Sequence, residues 1–482
     1  MTALTFFWHD YETFGTSPRR DWPAQFAGLR TDAELNQVGE PVMLYCQPPR
    51  DRLPEPEACL LTGITPQQCQ AQGIAEQAFA ARVLANLGAP GTVGVGYNSI
   101  RFDDEVTRHL LWRNLIEPYG REWQNGCARW DLLDTVRCAW ALRPEGVQWP
   151  KHPDGRASFK LQDLAAANGL VHESAHDALS DVRATIALAR LIRQAQPKLW
   201  EFCLRLRKKD AVWQEIGVNQ PFLHISGKYP VEQGCTALVW PLAPHPVNKN
   251  ELIVWDLGHD PGQLLELDAD AVRARLFVRT EDLPQGQTRL PIKTIHVNKS
   301  PIVVGKQATL SPAMAERWGL DRALWAEHAA KAAGMVAQLH SLREGLWPAV
   351  FARPESAAPT DVDEDLYGGF IGHEDRRTLD RLRALPPQRL AEQRPSFHDP
   401  RLPELLLRYR ARNFPDTLKP DEHTAWRAHC HDRLDSGTAE LTGLAAYFER
   451  LDVLHETADE RGQAILSELY DWASEIAPEL DG

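Results

Sequence analysis

The sequence predicts an α/β first region, a mostly β second region and a helical C-terminal region. Three observations support this division. Short apolar runs alternate with helical periodicity from residue 4 to about 196, strand-like runs separated by Pro, Gly and Asn turns follow to about 350, and helical patterns dominate beyond. Because 482 residues exceed the size at which one hydrophobic core stops growing, we expect two or three domains.

The first region alternates strands and helices, as is typical of an α/β domain. The runs "LTFFW", "VMLYC" (42–46) and "TVGVGYN" (92–98) each predict a strand bounded by Gly, Pro or polar residues. Near the end of the region, "ALSDVRATIALARLIRQ" predicts an amphipathic helix, because its apolar residues recur at helical spacing at Leu179, Val182, Ile186 and Ala189.

The second and third regions differ in the periodicity of their apolar residues. In the second, "TALVWPL", "ELIVWDL" and "PIKTIHV" predict strands, and residues 322–342 predict a helix. The stretch 348–370 is rich in Pro, Ala and Asp and predicts a linker. After it, "LPELLLRYRARNF" and most of 438–476 predict helices.

Composition excludes several classes of protein. Hydrophobic residues make up 43% and charged residues 25%, which is ordinary for a soluble globular protein. The N-terminus has no positively charged leader, and its apolar run is interrupted at His9, so we expect a cytoplasmic protein without a membrane partner. The eight cysteines are scattered without a CxxC pair, which predicts reduced thiols and no zinc site.

The net charge of −13 would oppose binding to nucleic acid if it were evenly spread. It is uneven: residues 376–412 carry ten arginines against four acids, and "LRLRKKD" at 204–210 is a second basic stretch. Residues 436–482 are strongly acidic. The basic stretches are candidate nucleic-acid surfaces, and solvated helix faces are the alternative interpretation.

Two carboxylates follow the first predicted strand in "FFWHDYETFG". Side chains alternate along a strand, so Asp10 and Glu12 project from the same face. Such a pair repels itself unless a cation lies between, and hard divalent ions prefer carboxylate oxygens. The pattern indicates a Mg²⁺ or Mn²⁺ site, with a solvated strand end as the alternative.

Two further acids and a histidine occur in similar settings. Asp103 in "GYNSIRFDDEV" follows a predicted strand at the start of a helix. In "AHDALSDVRATIALA", His176 stands five residues before Asp181 on the amphipathic helix. Asp177 is a natural N-cap, which is the structural alternative for that neighbourhood.

The order and spacing of these motifs resemble the DEDD exonuclease superfamily in its His-containing branch. The segments "HDYETFGT", "PAQFA", "LLTGITP", "GYNSIRFDDEVTRH", "RWDLLD", "ALRPEG", "AHDALSDVRATIA" and "YRARNFP" resemble the bacterial exodeoxyribonuclease I family along essentially the whole chain. The resemblance implies an RNase H-like exonuclease domain (1–196), an SH3-like β domain (197–350) and a C-terminal helical domain (351–482).

The resemblance also implies roles for the site residues. Asp10, Glu12, Asp103 and Asp181 would hold two Mg²⁺ ions, with Mn²⁺ as a substitute, and Asp10 would bridge them. His176 would be the general base, since its ordinary pKa near 6.5 suits proton transfer at neutral pH. Four nearby acids are rival ligands that rank lower: Asp104, Asp131, Asp134 and Asp177.

The implied activity is 3′ to 5′ hydrolysis of single-stranded DNA to 5′-mononucleotides, in repair and recombination. The backbone at Thr13 and Phe14 could approach the terminal nucleotide, with stacking on a base or core packing as alternative roles for Phe14. Asn98, Arg101 and Lys160 are candidate phosphate contacts. The sixteen tryptophans include candidates for base stacking, although most are expected in cores.

A protein partner is implied as well. In the family, the single-stranded-DNA-binding protein docks through its acidic C-terminal tail, for which Arg143 and Arg343 are candidate contacts here. A monomer is expected. Two other functions stay open at this point: a 3′ to 5′ exoribonuclease of the same superfamily, because the acids and the histidine do not contact the sugar, and a non-catalytic nucleic-acid-binding protein.

Overall fold

The structure is a computed structural model that describes residues 4–171, 177–352, 361–436 and 443–477. The chain forms two compact units. The first contains Met1–Ala128, His172–Arg183 and Pro359–Gly482, and the second contains Arg129–Val171 and Ala184–Ala358. The C-terminal helical region therefore belongs to the same compact unit as the start of the chain, a grouping that the linear order of the sequence does not reveal.

The strands lie in two groups. In chain order they are β1 (Thr5–Thr13), β2 (Pro23–Thr31), β3 (Val42–Tyr45), β4 (Thr92–Gly96), β5 (Ala128–Asp131), β6 (Phe222–Ile225), β7 (Thr236–Pro244), β8 (Glu251–Asp256), β9 (Ile292–His296) and β10 (Ile302–Val304).

The helices connect and cover these strands. They are α1 (Pro56–Thr62), α2 (Pro66–Gln72), α3 (Glu76–Leu87), α4 (Asp103–Arg113), α5 (Leu132–Leu142), α6 (Leu161–Ala167), α7 (Ala178–Ala195), α8 (Pro197–Arg205), α9 (Lys209–Glu215), α10 (Ala269–Leu276), α11 (Pro312–Arg317), α12 (Arg322–Gly334), α13 (Val336–Val350), α14 (His373–Arg383), α15 (Pro387–Ala391), α16 (Leu402–Asn413), α17 (Pro420–His431), α18 (Leu444–His455) and α19 (Glu460–Ile476).

In the first unit, β1 lies inside a mixed sheet. It pairs antiparallel with β2 and parallel with β4, and β3 pairs antiparallel with β2. Nearly every residue of β1 and β2 is buried. Burial on both faces of the sheet explains why most residues of these strands are apolar. The sheet thus holds β1 rigidly by two neighbours, and this strand carries the first acids of the predicted site.

Two apolar clusters pack on this sheet. One joins Phe7 and Tyr11 of β1 and Phe26 of β2 to α3 and α4. The other surrounds Phe14, Trp22 and Ala24 with residues of α1, α2, α18 and α19. The packing of the last two helices against the segment that follows β1 explains why both ends of the chain fall into one unit.

A buried group of ion pairs, here called the Asp363 cluster, joins distant segments of the first unit. Arg412 of α16 contacts Asp51 at 2.8 Å and Asp363 at 2.7 Å. Asp51 and Asp363 are fully buried; Arg408 also pairs with Asp363, and Arg433 also pairs with both acids. Asp361 is a third acid that pairs with Arg408 and Arg433. The prediction of a linker over 348–370 is therefore wrong for its second half, because Asp361 and Asp363 are ion-paired to α16.

The same pairs change the interpretation of the basic stretch 376–412. Arg408 and Arg412 are neutralised within the Asp363 cluster, and Arg410 pairs with Glu422 at 2.6 Å. Arg401 pairs with Asp399 at 2.7 Å and lies over Trp112. The cationic surface expected from this stretch is smaller than its composition indicates, because several of its arginines pair with acids from other parts of the chain.

The second unit contains an antiparallel sheet in the order β10-β6-β7-β8-β9. The strands predicted from "TALVWPL", "ELIVWDL" and "PIKTIHV" correspond to β7, β8 and β9. In the same unit, Trp140 packs near Trp149 and Trp318. Most of the sixteen tryptophans are buried, as expected for packing residues.

Two smaller expectations concern the cysteines and the membrane. All eight cysteines are free, and all but Cys430 are buried. Among the helices of the described residues, none is long and apolar enough to cross a membrane.

Candidate active site

The C-terminal half of β1 presents the two acids of the DxE motif. Asp10 lies opposite Ala27 and Glu12 opposite Gln25 on β2, and the register shifts directly after Glu12. The acids stand two residues apart on a regular strand, so their side chains leave the same face. The irregularity after Glu12 ends the regular pairing, and it lies beside the site.

Asp103 is brought to β1 by the first turn of α4. Its Oδ1 accepts a hydrogen bond from the backbone N–H of Tyr11 at 3.1 Å, between the two acids of the motif. The Thr107 hydroxyl donates to the backbone carbonyl of Asp103 at 2.8 Å. The Tyr11 hydroxyl lies 3.0 Å from the Thr107 hydroxyl oxygen. Strand and helix are thus joined at the residue that supplies the third acid.

Asp181 comes from the first turn of α7. Carboxylate oxygens of Asp10, Glu12 and Asp181 lie within 4.8 Å of one another. The start of α7 is fixed on the sheet, where Gln25 Oε1 accepts from the Ala178 N–H at 3.4 Å. We call Asp10, Glu12, Asp103 and Asp181 together the acidic site.

The electrostatics of the acidic site are unfavourable without a cation. Burial, followed by the neighbouring acids Asp103, Glu12 and Asp181, raises the pKa of Asp10 well above its usual range. Burial and then Asp181 and Asp103 raise the pKa of Glu12 to about 8. Clustered oxygen donors that resist ionisation together are the ligand set that suits a hard divalent cation. The residues present therefore fit a metal site.

The rival acids are occupied by structural roles. The buried Asp104 carboxylate pairs with Arg121. Asp177 accepts from the Ser180 N–H at 2.9 Å, as a cap of α7. In the second unit, Asp131 caps α5 by accepting from Leu133 N–H, and Asp134 pairs with Arg137 at 2.7 Å.

The predicted nucleic-acid contacts fall into different environments. Asn98 and Arg101 are exposed in the loop between β4 and α4, close in sequence to Asp103. The Thr13 hydroxyl donates to the Gly15 carbonyl at 2.6 Å. Phe14 is only 6% exposed within the apolar cluster of α18 and α19, which favours its packing role over base stacking. Lys160 is exposed at the start of α6 in the second unit.

The remaining predicted residues are His176, Arg143 and Arg343. His176 lies outside the described residues. Arg143 is exposed at the end of α5 and donates to the Thr309 carbonyl at 3.1 Å. Arg343 is part of α13, but its side chain is outside the described part of the structure.

Two residues beside the acidic site were not found from the sequence. His9 and Arg121 are both buried, at 2% and 3% exposure, and Arg121 contacts the acid that follows Asp103. Burial, with a contribution from Arg121, lowers the pKa of His9 to about 4. The sequence signal for His9 was its place before the DxE motif, but Arg121 lies in a segment without any motif.

A cavity of about 550 Å³ lies elsewhere in the first unit. Its lining includes Trp112, Tyr119 and Arg376, together with Gly88 and Ala89 just before β4. The acidic site lies instead beyond the C-terminal end of β4, where Asp103 follows. This cavity is therefore separate from the carboxylates.

Comparison with protein families gives three matches along the chain. A family described as Exonuclease matches residues 7–189, the Exonuclease I SH3-like domain matches 207–352, and the Exonuclease I C-terminal domain matches 360–476. Two curated relatives are named Exodeoxyribonuclease I. The Haemophilus influenzae protein is 42% identical, covering 98% of this chain and 99% of its own. The Escherichia coli protein is 43% identical and covers 98% of both.

Solved structures agree with these matches. An Exonuclease I from Methylocaldum szegediense has a TM-score of 0.91 and 46% identity, covering 98% of this chain and 99% of its own. E. coli Exonuclease I in complex with a dA16 oligonucleotide has a TM-score of 0.91 and 42% identity, covering 98% and 100%. An SSB/Exonuclease I structure with the inhibitor CFAM has a TM-score of 0.88 and 41% identity, covering 99% and 100%.

Proposed function

This chain belongs to the exodeoxyribonuclease I family, and from this premise we propose that it hydrolyses single-stranded DNA from the 3′ end, releasing 5′-mononucleotides, in DNA repair and recombination. The acidic site is the observation that carries the proposal. Three carboxylates within 4.8 Å of one another, with the buried Asp103 beside them, form the ligand set that phosphodiester hydrolysis with divalent metals requires.

Mg²⁺ is the proposed metal, with Mn²⁺ as a substitute, because both prefer carboxylate oxygens. Asp10 would bridge two ions, Glu12 and Asp181 would complete the first position, and Asp103 would serve the second. When bound, the ions would lower the pKa of the attacking water and stabilise negative charge on the leaving 3′ oxygen. His176 is assigned to take the proton from that water.

The chain's own residues position the substrate. Asn98 and Arg101 are exposed in the loop that precedes Asp103, which supports their proposed contact with a phosphate of the terminal nucleotides. The backbone at Thr13 borders the acids directly. Lys160 is retained as a further candidate phosphate contact. Support for single-stranded DNA as substrate comes from the relative solved with a dA16 oligonucleotide.

A single-stranded-DNA-binding protein is the proposed partner, since a related exonuclease has been solved in an SSB/Exonuclease I structure. Its acidic C-terminal tail would dock on a basic surface, for which Arg143 and Arg343 are the candidates. We propose that the enzyme works as a monomer in the cytoplasm.

The decisive experiment incubates the purified protein with 5′-labelled single-stranded DNA and RNA of the same sequence, in Mg²⁺ and in EDTA. The expected result is stepwise shortening of the DNA from its 3′ end, in Mg²⁺ only, with release of 5′-mononucleotides. Equal or faster shortening of RNA would favour an exoribonuclease. Binding without cleavage in every metal would favour a non-catalytic binding protein.

The role of His176 is tested by His176→Ala. Its cleavage rate in single turnovers should fall by roughly 10² to 10⁴-fold, the usual contribution of a general base. Affinity for DNA in Ca²⁺ should be unchanged, and raising the pH should partly restore the rate as hydroxide becomes available. Wild-type rates near pH 7 would show that another group accepts the proton.

A further inference from the structure

A group of ion pairs anchors the first turns of α4. We define the α4 clamp as Asp104 and Arg108 of α4 together with Arg121 and Glu122 of the segment that follows. Asp104 pairs with Arg121, and Arg108 pairs with Glu122 at 2.7 Å through Nε and at 2.9 Å through Nη2. Each segment supplies one cation and one anion, so the two pairs fix both the height and the rotation of α4.

The clamp acts on the residue next to a proposed metal ligand. The Asp103 carboxylate accepts a hydrogen bond from the Tyr11 N–H, and the next residue, Asp104, is ion-paired to Arg121. The first turn of a helix frays most easily, because its N–H groups lack intrahelical partners. Two consecutive side chains anchored to different partners restrict that turn, and with it the Asp103 carboxylate.

Stabilisation of the fold does not by itself account for the buried Arg121. It is buried, yet its Nε and Nη1 have no hydrogen-bond partner among the described residues. A buried ion pair is often no more stabilising than apolar side chains of the same volume, because both charges lose their hydration. The β4 strand accommodates the guanidinium through Gly94, since a Cβ there would lie 3.3 Å from Nη1.

The guanidinium also lies close to β1. The same Gly94 position is 3.6 Å from Nε2 of His9, the residue that precedes Asp10. Arg121 therefore occupies a buried place between the strand that carries Asp10 and the helix that carries Asp103. A residue at this place can set the separation of two ligands that come from different elements.

We propose that Arg121 is a positioning residue of the metal site, which holds the Asp103 carboxylate against β1 by way of the α4 clamp. The inference rests on the proposed function, because it assumes that the acidic site binds divalent metal. Removing such an outer support of a metal ligand typically lowers metal affinity by about 10- to 100-fold.

The test compares Arg121→Met with Arg113→Met. Arg113 is a matched control, because it is equally buried on α4 and pairs with Glu76 at 2.9 Å, but it lies at the other end of the helix from Asp103. The readouts are the dissociation constant for Mn²⁺ without DNA, measured by electron paramagnetic resonance, the melting temperature, and the Mg²⁺ concentration that gives half-maximal cleavage.

Both variants should lower the melting temperature, but only Arg121→Met should weaken Mn²⁺ binding, by at least about tenfold, and raise the half-maximal Mg²⁺ concentration in parallel. Arg121→Lys should restore much of the Mn²⁺ affinity. If Arg121→Met does not fold, the neutral pair Asp104→Asn with Arg121→Met replaces it, with the same loss of Mn²⁺ affinity expected.

Wild-type Mn²⁺ affinity in the folded Arg121 variant would overturn the inference, as would an equal loss in Arg113→Met. These outcomes are distinct from failure of the proposed function. In that case the wild-type protein itself would neither bind Mn²⁺ at the acidic site nor cleave DNA in Mg²⁺.

Discussion

At the scale of single residues, the acidic site brings carboxylates so close together that their negative charges repel one another. Asp10 lies in a buried strand, and Asp103 and Asp181 come from the first turns of two helices. The raised pKa values of Asp10 and Glu12 mean that the metal-free site carries a free-energy penalty at neutral pH. The bound metal would relieve that repulsion, so ligand affinity and protein stability are linked here.

Asp10→Asn should reduce cleavage by more than about 100-fold, because it removes the proposed bridging ligand. In EDTA the same variant should melt at an equal or higher temperature than the wild type, since a buried carboxyl group whose ionisation is disfavoured there is replaced by a neutral amide. Glu40→Gln, at an exposed carboxyl group, is the control for both measurements. Cleavage within about tenfold of the wild type, a change of barely 1.4 kcal/mol, would contradict the metal assignment.

The metal-free protein should lose stability as the pH rises. Burial and neighbouring acids raise the pKa of Glu12 from 4.5 to about 8, so between these values the folded state keeps a proton that the unfolded state releases. Stability then falls with pH across this window, by up to about 1.4 kcal/mol per pH unit. Melting temperatures in EDTA between pH 5 and 8 should therefore decline.

Glu12→Gln should flatten that decline, and so should saturating Mg²⁺ with the wild-type protein. A wild-type melting temperature that does not change over the window, or that rises with pH, would show that the acids of the site are ionised in the metal-free fold.

At the scale of helices and strands, the sequence predicted the elements that local pattern determines. β1, β3, β4 and β7–β9 each coincide with a bounded apolar run, and α7 and α16 coincide with helical periodicity. β2 was not predicted, because "PAQFAGLRT" begins with Pro, contains Gly and has no run of bulky apolar residues. Its strand conformation depends on pairing with β1, which is a long-range contact.

The site shows the same division between local and long-range information. The family resemblance, carried by motifs at the ends of recognisable elements, implied the four proposed ligands, and local pattern alone left each of them with a structural alternative. The partners of Asp104 and of the Asp363 cluster were not predictable in this way, since ion pairs between segments tens or hundreds of residues apart leave no local pattern. For that reason 361–370 was interpreted as part of a linker.

Asp363→Ala should destabilise the first unit by about 3–5 kcal/mol, because it leaves the buried Arg408 and Arg412 short of a partner. Burial alone would raise the pKa of Asp363, but Arg412 and the other arginines lower it well below its usual range. Its contribution is therefore present above the ordinary pKa of Asp and is lost only as the pH falls further. Chemical denaturation at pH 7 measures the loss.

The matched control is Arg450→Ala, which breaks an exposed pair with Glu57 at 2.6 Å. Exposed pairs contribute at most about 1 kcal/mol. Equal effects of the two substitutions would mean that the Asp363 cluster is solvated rather than buried.

At the scale of the whole molecule, charge has to be considered by location. The chain carries a net charge of −13, and several arginines of the basic stretch 376–412 are already paired with acids. Under the proposed function, DNA would meet local cationic groups, of which Arg101 is the proposed one near the acidic site. This is a narrower electrostatic footprint than the composition indicates.

Affinity for single-stranded DNA should nevertheless fall by at least about tenfold between roughly 50 and 200 mM salt. The measurement uses the Asp10→Asn variant in Ca²⁺ with fluorescent DNA. Arg101→Ala should reduce the slope of log affinity against log salt by about one. Arg389→Ala, at an exposed arginine paired with Glu392, should leave the slope unchanged. A slope near zero in the parent variant would argue against phosphate contacts.

The assembly of the first unit from both ends of the chain has a consequence for synthesis on the ribosome. The segment after β1 packs on α18 and α19, and Asp51 needs Arg412 as its partner. At about 5–20 residues per second, a nascent chain waits roughly 20–90 s between making its first acids and making the helices that complete their unit. The apolar core around the segment that follows the acids, and the ion pairs of Asp51, would thus be completed only at the end of translation.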